Sequence, residues 1–166
     1  MNNIKKFKEL KPFLTDADYS DVKTAEGNVS LRQFIASMLS YYPWWVIMLF
    51  RIREIIVRIL GLARHEKPEK PPSLCPDDVP LTPGKNASFF IVRVAEDEHY
   101  WIAETPEDKH LKAYLAVVAE PLKDDIRCFH VITIVKYKHW TGPVYFNIIR
   151  PFHHLVVSKM TQAGVN

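Results

Sequence analysis

The stretch IRCFHVITIVKYKHWTGPVYFNIIRPFHHLVVSKMTQA, residues 126–163, decides the fold. Its first part, residues 126–138, is rich in β-branched and aromatic side chains and therefore predicts a strand. Gly142 and Pro143 interrupt that pattern. Apolar side chains then recur at helical spacing through residues 144–163, which predicts a long C-terminal helix. The apolar side of this helix is predicted to carry Tyr145, Ile148, Ile149, Phe152, Val156 and Met160.

Upstream of this stretch, three more β-rich segments occupy residues 87–95, 99–105 and 110–120. Short turns separate the segments, so neighbouring strands are expected to pair antiparallel. A proline-rich segment at about residues 65–86 comes before them and predicts an extended surface loop, because proline excludes a regular helix.

The N-terminal half adds a first strand and two helices. The strand is predicted at residues 19–24, where alternation is weak. Ser30 is a suitable N-cap for a helix over residues 31–42. A second helix is predicted over residues 44–60, and Gly61 follows it as a C′ glycine would.

This order of elements predicts an α+β fold in which helices and a sheet form two layers around one core. A chain of 166 residues is of a size that one core usually serves, so residues 1–166 are expected to form a single domain. The layout is that of a helix-grip fold. A bent antiparallel sheet wraps around the long C-terminal helix, and two helices are inserted after the first strand.

A resemblance to a known family rests on three runs, YPWWVIMLFRIREIIVRILGL (42–62), HLKAYLAVV (110–118) and FHVITIVKYKHWTGPVYFNIIRPFHHLVV (129–157). These runs resemble an uncharacterised bacterial family of small helix-grip proteins of the START and Bet v 1-like (SRPBCC) type. The similarity spans about residues 19–160, and the Pro-Phe-His segment of the last helix is its most distinctive part. The resemblance implies the fold and an apolar cavity between sheet and helix, but it implies no activity.

The composition excludes several classes of partner. A net charge of +3 with scattered lysines predicts no nucleic-acid partner. Residues 43–62 are apolar enough to suggest a membrane span, but they contain Arg51, Arg53 and Arg58. Each such charge would cost about 2.5–3.5 kcal/mol at bilayer depth, so no stable membrane insertion is expected.

The sequence contains no metal-binding, nucleotide-binding or covalent-catalysis motif, and neither a metal nor a cofactor is predicted. Cys75 and Cys128 lie far apart and are expected to be free thiols, which together with the absence of a secretory signal predicts a cytoplasmic protein.

Strand alternation predicts which side chains face the interior. A two-residue turn between Glu96 and His99 would place Phe90, Val92, Val94 and Trp101 on the inner side of the sheet. The predicted ligand-binding residues are His99, Trp101, Thr133, Tyr137, Phe152 and His153. Polar groups in an apolar enclosure are typical of small-molecule sites. Each of these residues could equally be a core residue whose polar atom is satisfied.

His153 is the strongest candidate because it lies on the apolar side of its helix, whereas the spacing turns His154 toward water. Three functions follow. The leading prediction is a binding protein for a small apolar or amphipathic ligand, held between the sheet and the last helix. The second is an enzyme of the cyclase or hydrolase type that uses a cavity histidine as general acid or base. The third is a fully packed protein-interaction domain.

The strand at residues 126–138 is apolar on both sides, with Cys128, Ile132 and Ile134 predicted on its outer side. A large exposed apolar patch is uncommon on a monomer. We therefore expect either the two middle helices or a homodimer contact to cover this outer side.

Overall fold

The computed structural model describes residues 7–59, 61, 73–106 and 110–166. Six strands form one antiparallel sheet: β1 (Tyr19–Gly27), β2 (Asn86–Ala87), β3 (Phe90–Glu96), β4 (Tyr100–Glu104), β5 (Leu111–Pro121) and β6 (Arg127–Tyr137). Their spatial order is β1–β6–β5–β4–β3–β2. The first strand therefore lies at one edge of the sheet beside the last, and the predicted antiparallel pairing is confirmed.

The helices are α1 (Lys11–Leu14), α2 (Leu31–Ser40), α3 (Trp44–Ile59) and α4 (Thr141–Ala163), with 3₁₀ turns at Lys8–Leu10 and Pro76–Asp78. The Ser30 hydroxyl accepts a hydrogen bond from the Gln33 amide at 3.1 Å, which confirms the predicted N-cap of α2. Gly61 follows α3 with φ +66°, the left-handed conformation expected of a C′ glycine. The helical turns before β1 are not predicted by the sequence pattern.

α4 packs against β1, β6 and α2, so the long C-terminal helix lies along one face of the antiparallel sheet. With two helices placed after the first strand, this is the predicted helix-grip fold. Within the predicted proline-rich loop, residues 65–72 lie outside the described part of the chain. Cys75 and Cys128 form no disulfide in the described part.

The sheet buries apolar side chains on both faces. The inner face, which faces α2 and α4, includes Trp101, Leu115, Val117, Phe129 and Val131. The outer face, on the other side of the sheet, carries Ile102, Tyr114, Ala116, Val118, Ile132 and Ile134. The alternation predicted for β6 is therefore confirmed, and β5 alternates in the same way.

Along β3, the side chains do not alternate regularly between the inner and outer faces of the sheet. The register with β4 shifts between Val92 and Val94, which makes Arg93 the extra residue of a β-bulge. Val92 packs in the inner core, whereas Val94 packs against the outer face. The prediction that Val94 points inward is therefore wrong, because a single inserted residue reverses the side that every later residue of the strand faces.

The N-terminal segment covers the outer face. Leu10 is fully buried there, and Phe7, Phe13 and Leu14 pack beside it. The ring of Phe13 lies 5.1 Å from that of Tyr114. The prediction that the two middle helices cover this face is wrong, because α2 and α3 lie elsewhere. The outer face is thus not the open patch on which the homodimer prediction depends.

α3 is lightly packed, and Val46 is the residue of this helix that is buried. Among the described residues, no single helix has the length and hydropathy needed to cross a bilayer. α2 and α3 meet those criteria only when taken together, across a bend of 65°.

Candidate functional site

The inner face is filled with aromatic side chains near the C-terminal end of α4. Phe34 of α2 stacks on Phe129 of β6 with ring centroids 4.2 Å apart. Trp101 is fully buried, and its indole nitrogen donates a hydrogen bond to the Pro80 carbonyl at 3.1 Å. We call Phe34, Trp101 and Phe129 the packed end. Trp101 faces inward as predicted, and its environment matches the alternative interpretation, a core residue with a satisfied donor.

Two glycines fix the rotation of α4. A Cβ atom on Gly142 would lie 2.6 Å from the His110 carbonyl oxygen, and a Cβ on Gly164 would lie 2.5 Å from the Phe34 ring. The helix therefore presents these two glycines, together with Phe146 and Val157, to its neighbours. Such close approach is available only to a residue without a side chain.

This rotation explains why one predicted site residue, Phe152, does not face the interior. Phe152 was placed on the inward side with Ile148, but both side chains are about 40% exposed. The buried stripe is offset from the predicted one because the glycines at the two ends of the helix, rather than its most apolar side, determine which side faces the sheet. Phe152 therefore does not line the interior.

A group of polar side chains lies at the β1 edge of the inner face, where α4 crosses it. Tyr19, Asp21 and Lys23 alternate along β1 and pair with the inward residues of β6, so they share the inner face. His153 and His154 of α4 lie over them. We call these five residues the polar cluster.

Hydrogen bonds and ion-pair contacts join four members of the polar cluster. The Tyr19 hydroxyl lies 2.9 Å from Nε2 of His154. Nδ1 of the same ring lies 3.1 Å from the Asp21 carboxylate, which also pairs with the Lys23 ammonium at 3.0 Å. Nδ1 also lies 3.3 Å from the Lys23 ammonium, so it faces both an acceptor and a donor, and the contacts are compatible with either neutral tautomer of His154. The result is a chain from Tyr19 through His154 to Asp21.

Burial raises the pKa of Tyr19, and the negative charge of Asp21 adds to this shift. The phenol therefore stays protonated at neutral pH. His154 was predicted to face water, and its side chain is 36% exposed, but β1 supplies partners for both of its ring nitrogens, which the prediction did not include.

His153 has the most unusual environment in the cluster. Its Nδ1 atom is buried and has no hydrogen-bond partner among the described residues. Burial lowers its pKa from 6.5 to about 4, and the nearby His154 and Lys23 act in the same direction, against Asp21. The imidazole is therefore neutral at pH 7. Its ring centroid lies 6.1 Å from that of Phe146.

Thr133 and Tyr137 lie next to this cluster on β6. Thr133 is buried and sits opposite Asp21 in the sheet register. Tyr137 is half-buried and packs against Phe146, with ring centroids 6.1 Å apart. Burial raises the pKa of Tyr137, and Asp18 contributes to the shift. Both residues therefore face the interior as the alternation predicts.

His99 is misplaced by the sequence analysis. Its side chain is 69% exposed, and its Nδ1 lies 3.0 Å from the carbonyl of Asp97. The turn between β3 and β4 spans residues 97–99 rather than two residues, with Glu98 at φ +63°. His99 thus belongs to the turn and not to the inner face of β4, which begins at Tyr100.

Tyr19, Asp21 and Lys23 are functional candidates that the sequence pattern did not identify. Their period of two was the available signal, since three polar side chains at alternate positions define one face of a strand. That signal does not reveal which face is buried, because the answer depends on the pairing of β1 with β6 at a separation of more than a hundred residues.

A surface depression lies outside the polar cluster. An open depression at the β5–β6 turn is lined by Glu26, Pro121, Leu122, Lys123, Asp124 and Ile126, and by none of the predicted site residues. In the described part of the chain, no group of three or more His, Cys, Asp or Glu residues is arranged to hold a metal ion.

Comparisons with known proteins bear on the family and the fold. A family model described as "Protein of unknown function (DUF2867)" matches residues 13–160. Among curated proteins, none matches the chain.

Solved structures give more distant matches. The chain is similar to a START superfamily protein from Mycobacterium smegmatis, with 17% identity and a TM-score of 0.43, over 88% of this chain and 96% of that one. It is also similar to truncated norcoclaurine synthase from Thalictrum flavum, with 12% identity and a TM-score of 0.42, over 87% and 91% of the two chains.

Proposed function

The chain belongs to the DUF2867 family of proteins of unknown function, and we propose that it binds a small amphipathic molecule between the sheet and α4. The polar cluster would hold the polar end of that molecule. The aromatic rings of Tyr137 and Phe146 would contact its apolar part, since both flank the cluster beneath α4.

The observation that supports this proposal is the unsatisfied Nδ1 of His153. A buried polar atom without a partner costs about 1–3 kcal/mol, and native proteins pair most such atoms with a protein group, a water or a ligand. A bound hydroxyl would supply the missing partner, because a hydroxyl donates or accepts according to the tautomer it meets.

The charges of the cluster narrow the chemistry of the ligand. The Asp21 carboxylate and the Lys23 ammonium offset each other at 3.0 Å, and His153 is neutral at pH 7. The cluster therefore favours a neutral hydrogen-bonding group over an ion, because neither sign of charge would find an unpaired counterion there.

The test uses 2-naphthol and naphthalene, which differ only by a hydroxyl. By fluorescence titration, the wild-type protein should bind 2-naphthol about five- to tenfold more tightly, as expected for one additional hydrogen bond. His153→Phe retains a planar ring but lacks Nδ1, and it should abolish this preference. His99→Phe, at an exposed position, is the matched control and should keep it. Equal preference in the wild type and in His153→Phe would refute the proposal.

A second candidate function is supported by the hydrogen-bonded chain through His154. An imidazole with a carboxylate beside Nδ1 can act as a general base through Nε2, which is the logic of catalytic triads, and the Tyr19 hydroxyl now on Nε2 would make way for the group to be deprotonated. This corresponds to the hydrolase alternative, with His154 in place of the residues predicted from sequence. Hydrolysis of p-nitrophenyl acetate above the buffer rate, lost in His154→Gln but retained in His99→Gln, would support it. No hydrolysis by the wild type would count against it.

We further propose that residues 1–166 form one domain that acts in the cytoplasm. The family match extends across the proline-rich segment, which supports a single unit. A single cooperative unfolding transition, coincident by fluorescence and circular dichroism, is expected. Two separated transitions would contradict the single-domain proposal. If the interior is instead completely packed, as in a protein-interaction domain, neither naphthalene nor 2-naphthol should bind.

A further inference from the structure

α3 carries an apolar stripe on its exposed side. The stripe consists of Trp44, Met48, Ile52, Ile55 and Ile59, which are spaced by three or four residues and thus lie along one side of the helix. Trp44 is 75% exposed and Ile59 is 79% exposed, so both ends of the stripe are open to solvent. An amphipathic helix normally turns such a stripe toward the core.

The charges around the stripe are of one sign. Arg51 and Arg58 are exposed and border it, because Arg51 precedes Ile55 by four residues and Arg58 follows Ile55 by three. The acidic residue of α3, Glu54, is partly buried away from the stripe. α4, the helix that contacts α3, contains no acidic residue.

A specific contact holds α3 in this orientation. The Arg53 guanidinium donates a hydrogen bond to the Tyr145 hydroxyl of α4 at 2.5 Å and lies 5.7 Å from the centre of the Tyr145 ring. Arg53 lies well over 90° around the helix from the middle of the stripe. The contact with α4 therefore leaves the stripe facing away from the protein body.

We propose that α3 binds the surface of an anionic lipid bilayer, lying in the interface with its stripe in the acyl region. A helix with large apolar residues on one side, bordering arginines and an exposed tryptophan has the composition of an interfacial membrane helix. Anionic headgroups complement Arg51 and Arg58. A second copy of the same face would instead place these arginines against each other, which disfavours a homodimer through α3.

The test is sedimentation of the full chain with vesicles of phosphatidylcholine alone and of an equal mixture with phosphatidylglycerol. The wild type should bind the mixed vesicles more tightly, and high salt should reduce that difference. Met48→Glu should lower the partition coefficient about tenfold, because it replaces an apolar contact with a charge. Leu122→Glu is the matched control, since Leu122 and Met48 are each 47% exposed.

Substitution of an arginine tests whether attraction between the arginines and the anionic headgroups contributes to binding. Arg58→Gln should weaken binding to mixed vesicles about fivefold and leave binding to phosphatidylcholine unchanged. Lys85→Gln, at another exposed position, should change neither.

Three outcomes would overturn the proposal. These are failure of the wild type to bind mixed vesicles, equal binding by Met48→Glu and the wild type, and a dimer in sedimentation velocity that Met48→Glu dissociates. Circular dichroism checks the fold of each variant, and Ile55→Gln replaces Met48→Glu if the latter does not fold. The naphthol experiment concerns His153 and is independent of all three.

Discussion

The packed end and the polar cluster lie along the same helix but differ in composition. The packed end consists of aromatic side chains, and the polar cluster consists of ionisable and phenolic ones. At the packed end, Phe34 and Phe129 stack at 4.2 Å and Trp101 has its donor satisfied. In the polar cluster, ionisable and phenolic groups share hydrogen bonds, and Nδ1 of His153 has no partner among the described residues. The buried donor at the packed end is therefore hydrogen-bonded, whereas the polar cluster retains a buried acceptor or donor atom without a partner in the described part of the chain.

This difference indicates that the two regions have different roles, one in stability and the other in ligand recognition. Burial of large apolar side chains is the main source of folding stability, so the packed end anchors α4 to the sheet. Buried polar groups oppose folding unless they are paired. The polar cluster therefore contributes less to stability and supplies the chemistry with which a ligand could be recognised.

The largest expected effect is at the packed end. Phe34→Ala should lower the free energy of unfolding by about 3–5 kcal/mol, because it leaves a cavity against Phe129 and Gly164. Denaturation by guanidinium chloride measures the loss. Phe89→Ala, at a residue that is 47% exposed, is the control and should cost about 1 kcal/mol or less. Equal losses in the two variants would show that the packed end does not anchor the fold.

The second effect concerns His153 and pH. The unfolded imidazole has a pKa near 6.5, whereas burial lowers the pKa in the folded state to about 4. Between these values the unfolded state binds the extra proton, so stability falls as pH falls. From this group alone the loss between pH 7 and pH 4 approaches about 3 kcal/mol.

His153→Leu removes the titrating group and should flatten that part of the pH dependence. Urea denaturation of the wild type and the variant at both pH values measures the difference. His99→Leu, at a side chain that is 69% exposed, is the control for loss of a surface histidine. Parallel stability profiles for His153→Leu and the wild type would mean that His153 is not held neutral by burial.

A third test compares the two ends of α4. Gly142→Ala would place a methyl group 2.6 Å from a backbone oxygen, and Gly164→Ala would place one 2.5 Å from the Phe34 ring. Each should cost about 1–3 kcal/mol, because α4 must shift outward. A thermal melt detects this as a loss of about 2–4 °C per kcal/mol. If either variant kept the wild-type melting temperature, that end of the helix would not be closely docked.

The smallest effect is expected within the polar cluster. Tyr19→Phe removes the hydroxyl that shares a hydrogen bond with Nε2 of His154 and should cost about 1 kcal/mol, the usual value of one hydrogen bond. Nitrogen NMR should report a change at Nε2 of His154, while Nδ1 keeps its contacts with Asp21 and Lys23. Unchanged nitrogen shifts would contradict the assigned chain from Tyr19 to Asp21.

Much of the architecture could be predicted because its signals are local. Ser30 and Gly61 mark helix boundaries by their own chemistry, and short turns determine the pairing of β4, β5 and β6. Once that pairing is correct, alternation places Thr133 and Tyr137 on the inner face. These successes required no contact between distant parts of the chain.

The errors arise where one residue or one distant contact decides the outcome. The bulge at Arg93 reverses Val94, and one added turn residue moves His99 out of the strand. The rotation of α4 depends on contacts of its end glycines with distant residues, so Phe152 could not be placed from helical spacing alone. The partners of His154 come from β1, which no local pattern connects to α4.

The N-terminal cover of the outer face has a practical consequence for handling the protein. Thr15 and Asp16 are exposed, and Asp16 adopts φ +60°, so the turn between α1 and β1 is accessible to a protease. A cut there would separate Phe7, Leu10 and Phe13 from the sheet without breaking any strand. The outer face would then expose its apolar side chains to solvent. Aggregation after limited digestion would indicate that the N-terminal segment had dissociated from the sheet.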